Sequence, residues 1–178
     1  MRGTQRVVVA AVIALGFVSV AEPAGAGVPN RQPDARIRLG DGPWTGDNLY
    51  PSDGLAGASA PLPDPATFDI RVQNDGTKID SFRIKGLAIQ NSSKKTVIDA
   101  GEITVQFLLG GQDVTEKVAA GKLKFHDVAP GALSPKLRMI VTSEDGTTTG
   151  GGVVFATSIK QPAQQDAVAG ALADPGAP

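Results

Sequence analysis

The stretch "TFDIRVQNDGTKIDSFRIKG", residues 67–86, decides the fold class. Phe68, Ile70 and Val72 take every second position, Asn74-Asp75-Gly76 interrupts, and Phe82 and Ile84 resume the beat. Period two is the signature of a half-buried β-strand, and an Asx-Gly pair forms turns because glycine reaches backbone angles closed to other residues. The pattern predicts two strands whose core face carries Phe68, Ile70, Val72, Phe82 and Ile84. A one-residue slip would expose all five.

Working outward, the same alternation appears in "DARIRLG" (34–40), "TVIDA" (96–100), "EITVQFLLG" (102–110), "KLKFHDV" (122–128), "KLRMIVTS" (136–143) and "VVFATSIK" (153–160). Turn clusters separate them: "GGQD" (110–113), "APGALSP" (129–135) and "EDGTTTGGG" (144–152). "VTEKVAAG" (114–121) reads as one irregular or 3₁₀ turn, and nothing from 34 to 160 holds a 3.6-residue period over a helical length. About seven short strands with regular turn signals predict an all-β antiparallel sandwich. The segment 41–65 is rich in Gly, Pro, Asp and Ser, and reads as one long irregular loop holding the single Trp and single Tyr. The tail, 161–178, is Ala/Pro/Gln-rich without a sustained stripe and reads as disordered.

The first 26 residues read as an address. Arg2 and Arg6 precede the apolar run 7–20, and Ala24-Gly25-Ala26 supplies the small-x-small pattern of a signal peptidase site. A run of 14 apolar residues is short for a membrane crossing, which takes about 20. Cleavage near Ala26 would leave 178 − 26 = 152 residues with 17 − 2 = 15 basic and 18 − 1 = 17 acidic side chains, a formal charge of −2. The expected product is secreted and extracellular, with no membrane insertion after cleavage. It has a flexible lead-in at 27–33 and a sandwich domain at 34–160. Its balanced charge excludes a nucleic-acid binder, which needs a concentrated basic surface. The Ala/Gly/Val/Pro bias points to a GC-rich bacterium as the expected source, and the Asn91-Ser92-Ser93 sequon has meaning only in a host whose secretory system uses it.

Two of these turn motifs resemble those of the immunoglobulin-like modules of bacterial secreted and surface proteins, of the CARDB, NEW3 and DUF11 types. The matching residues are Asn74 and Gly76 at the end of one strand, and Ala129-Pro130-Gly131 before the penultimate strand. The resemblance spans about 34–160 and implies an immunoglobulin-like sandwich of about seven strands with Greek-key topology. Such modules act beside an enzyme or adhesin as spacers or attachment units.

Chemistry-bearing residues are few. Zinc and copper sites need several His or Cys, and the chain has one His and no Cys. His126 falls on the polar side of its strand, and no nucleophile-elbow or phosphate-loop pattern occurs. Asp41, Asp47 and Asp53 crowd the first loop at six-residue intervals, and hard oxygen ligands of this kind suit calcium, although the spacing matches no calcium loop. Trp44 and Tyr50 are either an aromatic binding surface or a plug over one end of the sandwich. The expected function is non-enzymatic binding of an extracellular or envelope protein or a polysaccharide, without cofactor, through loop 41–65 or a free sheet edge. The alternatives are a spacer subunit and a small hydrolase pairing His126 with the loop acids.

Overall fold

The computed structural model describes residues 29–50, 54–90 and 102–174. The expected signal peptide, Asp53, the Asn91 sequon and the "TVIDA" segment lie outside them. Within them the chain runs β1 (Pro33–Leu39), β2 (Ala56–Pro61), β3 (Ala66–Asn74), β4 (Asp80–Gln90), β5 (Ile103–Leu109), β6 (Gln112–Asp113), α1 (Thr115–Ala119), β7 (Leu123–Val128), β8 (Leu137–Ser143), β9 (Gly150–Ser158) and β10 (Gln165–Ala173).

Two five-stranded sheets face each other, in the orders β1-β3-β8-β5-β6 and β2-β10-β9-β4-β7. The cores of these orders, β1-β3-β8-β5 and β10-β9-β4, are the A-B-E-D and G-F-C arrangement of an immunoglobulin-like sandwich. Every pairing is antiparallel except β2 with β10. The five predicted core residues between Phe68 and Ile84 are all buried. Phe68, Phe82 and Phe107 fill the space between the sheets together with Val, Ile, Leu and Met side chains.

The strand count exceeds the expected seven because two edge segments each serve both sheets. The first runs as β1 in one sheet and returns as β2 in the other; the second does the same as β5–β6 and β7. The loop expected over 41–65 therefore contains β2, and "VTEKVAAG" contains the single helical turn of α1. The expected disordered tail is also corrected. Residues 165–173 form β10, bonded to β9 on one side and β2 on the other. Its small side chains suit that place: a Cβ on Gly170 would stand 2.6 Å from Met139 Cε and 2.8 Å from the Phe68 ring. Sequence composition mistook a closely packed strand for low complexity. The lead-in before Pro33 is likewise tied down, since Lys78 N–H donates to Asn30 O at 2.9 Å and Asp75 N–H to Gln32 O at 2.8 Å.

The Asn-x-Gly and Ala-Pro-Gly turns, far apart in sequence, interlock through Asn74, which is fully buried. Its side-chain amide donates to Lys78 O at 2.9 Å and to Val128 O at 2.8 Å, and its Oδ1 accepts from Gly76 N–H at 3.0 Å. Its backbone N–H donates to Ala132 O at 3.1 Å, and its carbonyl accepts from Gly131 N–H at 2.7 Å. Gly76 closes the knot, because a Cβ there would stand 2.6 Å from Arg31 Cα.

Asn74→Ala should cost about 2–4 kcal/mol in urea unfolding, since two buried carbonyls and one N–H lose their partners. A loss under about 1 kcal/mol would mean that water replaces the amide. A chain ending at Lys160 should show no cooperative thermal transition, because β9 and β2 lose their common partner; a sharp transition would overturn the place given to β10.

Candidate functional site

The first loop is the segment singled out by sequence, and its residues are bound to the body of the sandwich. Thr45 forms a bridge with Ile37: each N–H donates to the other's carbonyl, at 2.9 and 2.8 Å. Thr45 Oγ1 also donates to Gly57 O at 3.3 Å, so one loop residue joins β1 to β2. Gly46 beside it has φ of 104°, and a Cβ there would sit 2.5 Å from Ala35 O. Only glycine fits so close to the edge strand.

Trp44 is half-buried, and the Arg38 guanidinium lies over its ring at 4.8 Å from the centroid. Arg38 points to the outer face of the first sheet, so Trp44 covers that face and does not plug the end of the sandwich. Tyr50 is also half-buried, and its hydroxyl donates to Asp75 Oδ2 at 2.8 Å, fixing the end of the loop to the Asn74 turn. Burial and the Asp75 carboxylate push the Tyr50 phenol well above its usual range. The structure gives each aromatic its own anchor, Arg38 for Trp44 and Asp75 for Tyr50.

Of the calcium candidates, Asp41 and Asp47 are engaged by different arginines. Asp47 Oδ1 pairs with Arg36 at 2.6 Å, while Asp41 is exposed and reaches Arg38 at 3.6 Å. Among the described residues no group of three His, Cys, Asp or Glu is placed to hold a metal ion. His126 is exposed on β7, at the opposite edge of the second sheet from β2 and β10. Three strand spacings, roughly 14 Å, separate β7 from β10. The imagined pairing of His126 with the first-loop acids is therefore out of reach.

Sequence reasoning overlooked a pair of buried carboxylates at the edge that the loop clamps. Asp166, at the start of β10, is 1% exposed. Its Oδ2 accepts from Ala35 N–H of β1 at 2.6 Å, and its Oδ1 from Ala167 N–H at 2.7 Å. Asp34, fully buried, accepts from Arg36 Nε at 3.0 Å and from Asn48 N–H at 3.0 Å. Burial pushes the Asp166 carboxyl up to about 7, against the two N–H groups that favour its charge. Burial likewise raises Asp34 to about 6, against Arg36, with the Asp75 charge adding to the rise. Asp166 lay in the supposed tail, and no sequence signal marks an aspartate that caps a strand of the opposite sheet.

On the outer face of the first sheet, Asp69 accepts from Arg38 at 2.8 Å and Lys136 at 3.0 Å, with Arg138 at 3.7 Å. Burial alone would raise its carboxyl; Lys136 and Arg38 outweigh burial and hold it below the usual carboxylate range. Further along that face, Thr104, Gln106, Ile140 and Thr142 line a shallow open dish over β5 and β8.

No protein-family model matches the chain, and no curated protein matches it. Among solved structures it is similar to the N-terminal domain of PorA (13% identity, TM-score 0.43, covering 81% of this chain and 99% of that one). It is also similar to PapD-like domain 7 of human CEP192 (9% identity, TM-score 0.41, covering 89% and 98%). A third likeness is to a FixG-related protein of Vibrio parahaemolyticus (8% identity, TM-score 0.40, covering 80% and 96%). The assignment as an immunoglobulin-like β-sandwich rests on the strand order itself.

The raised carboxyls set a pH dependence. In the folded state Asp34 and Asp166 hold protons that the unfolded chain releases near pH 4, so stability falls as pH rises from about 4 to about 7. Below about pH 4 the sign reverses, because Asp69 must give up its cations. The melting temperature should therefore be higher at pH 5 than at pH 8. Asp166→Asn should lower the pH 5 value, since an amide cannot accept both N–H groups, and should narrow the gap between the two. A melting temperature that climbs from pH 5 to pH 8 would refute the assignment.

Proposed function

We propose that the chain is a secreted, non-enzymatic binding module that seats an extracellular or envelope protein, or a polysaccharide, on its outer surface. In this it would act like the CARDB, NEW3 and DUF11-type modules that its turn motifs resemble. The supporting observation is the filled interior. Phe68, Phe82 and Phe107 are fully buried between the sheets, and a Cβ on Gly86 would stand 2.6 Å from the Phe107 ring. Small-molecule sites are enclosed, mostly apolar concavities; the dish over β5 and β8 is open and lies on a sheet face. Flat faces of this kind suit a macromolecule.

The first loop acts in this reading as a clamp. It fastens β1 to β2 through Thr45 and ends on Asp75 through Tyr50, so partner contacts fall to the sheet faces. The loop also limits which edges can take up a partner strand. On the free side of β1, the Ala35 and Ile37 N–H groups are already bonded, to Asp166 and to Thr45.

Fractionation of the tagged full chain in its native host, followed by cross-linking, tests the proposal. The expected result is retention in the envelope or medium fraction with one defined cross-linked partner. Monomeric chain with nothing attached would overturn the binding reading and leave a spacer. Trp44→Ala should lower stability by about 1 kcal/mol through the lost Arg38 contact, and leave partner retention unchanged. Loss of retention in a stably folded Trp44→Ala chain would return the loop to the role of binding surface.

A further inference from the structure

The two outer faces treat their charges differently. On the first sheet, Arg36, Arg38, Lys136 and Arg138 each have an aspartate within ion-pair distance, and Arg71, opposite Arg36, is the one outward cation there without one among the described residues. On the second sheet, Arg83 and Lys85 of β4, with Lys124 of β7 and Lys122 just before it, are all exposed. None of these four takes part in an ion pair among the described residues.

Their placement is close. Arg83 stands directly opposite Lys124 across the β4–β7 ladder. Arg83 Cδ and Lys85 Cγ each lie 3.8 Å from the point where a Cβ on Gly121 would be, so both stems gather under the α1–β7 turn, with Lys122 next in the chain. Like charges directly opposite in a ladder destabilise it. Guarding an edge explains the lysines of β7, since charges on an edge strand discourage stray pairing. It does not explain Arg83 and Lys85, because β4 lies inside the sheet between β7 and β9.

An apolar strip continues the same face. Lys85 is opposite Phe155, Leu87 opposite Val153 and Ile89 opposite Gly151; Leu87, Ile89 and Phe155 are half-buried and carry the strip's accessible surface, while Val153 is buried. The positions of β10 in register with these are Ala167, which is buried, and the half-buried Ala169 and Ala171. No acidic side chain interrupts the outward positions of β4, β9 and β10 from cations to apolar strip.

We propose that this face of the second sheet docks an acidic polypeptide segment, its carboxylates on Arg83, Lys85, Lys122 and Lys124 and its apolar side chains on the strip beside Phe155 and Leu87. This rests on the binding-module reading and supplies its surface and the chemistry of its partner. An apolar centre flanked by charge is the composition of a protein interface. A polyanionic sugar chain would use the cations and leave the strip idle. A bilayer surface calls for large apolar side chains that stand out from the fold, whereas Leu87 and Phe155 are half-buried at the level of the sheet.

The test titrates labelled poly-L-glutamate and a glutamate–tyrosine copolymer with the full chain, at about 0.05 and 0.15 M salt. Both should bind more weakly at the higher salt, and the copolymer more tightly than poly-L-glutamate. Arg83→Glu/Lys124→Glu should weaken both by about tenfold or more, while Arg71→Glu on the first sheet should have little effect. Leu87→Ser should erase the preference for the copolymer. Lys124→Glu alone places a glutamate opposite Arg83, and should weaken binding while raising the melting temperature by ~1–2 °C, which separates lost binding from lost folding. Equal binding by Arg83→Glu/Lys124→Glu and the unaltered chain would overturn the proposal, as would an equal loss in Arg71→Glu. Binding of dextran sulfate with neither polypeptide bound would also overturn it and point to a sulfated polysaccharide. If only this surface is wrong, Arg83→Glu/Lys124→Glu still retains its cross-linked partner in the host; if the binding reading itself is wrong, the unaltered chain retains none.

Discussion

The fold depends on one buried amide. Asn74 ends β3, and its side chain and backbone together satisfy groups from the β3–β4 turn, the end of β7 and the turn before β8. A sandwich must turn its chain from one sheet to the other without leaving buried backbone groups unpaired. Here that requirement is met at a single position, where an aspartate would repel the carbonyls and a leucine would leave them bare. The Asn-x-Gly and Ala-Pro-Gly motifs are thus two halves of one structure, although about 55 residues of sequence separate them.

Much of the architecture was legible in the alternation of residues 67–86, because both strands there have one wet face and one dry face. The signal failed where a strand has neither. The inward positions of β10 include Val168, Gly170 and Leu172, and its outward ones are alanines, so hydropathy hardly alternates. β2, "AGASAP", is as weakly patterned and exists because β10 offers it a partner. Missing the one meant missing the other. Of the candidate site, sequence picked out the right loop and the right aromatics but could not tell a clamp from a binding surface. That depends on Asp75 and Arg38, which reach the loop only through the tertiary fold.

The carboxylates show how the edge between the sheets is closed and what the closure costs. The β1 edge would present free N–H groups to any passing strand. Asp166 and Thr45 occupy them instead, and the Asp166 carboxyl is held in a place where its charge is poorly solvated. An amide could not accept the two N–H groups together, whereas a carboxyl group can, so the chain tolerates a carboxyl whose ionisation is disfavoured by burial to keep a quiet edge. The contrast with the uncompensated cations around Arg83 is one of direction. On the β1 side the buried carboxylates of Asp34 and Asp166 are hydrogen-bonded and the arginines of β1 are ion-paired, while the cations of β4 face out without an ion pair among the described residues.

The pairing of β2 with β10 has a consequence in time. Ala35 and Asp166 are 131 positions apart, and among the described residues β2 has no ladder partner except β10. Contacts between such distant positions form late, because a long loop must close before any bond rewards it. As the chain leaves the ribosome or a translocation pore, β3, β4, β5, β7, β8 and β9 can assemble while β2 waits unpaired. The half-built sandwich then carries an open flank, with backbone groups unsatisfied, until its last strand arrives. That interval, more than any weakness of the finished fold, is when this chain is exposed to mispairing or to a chaperone's grip.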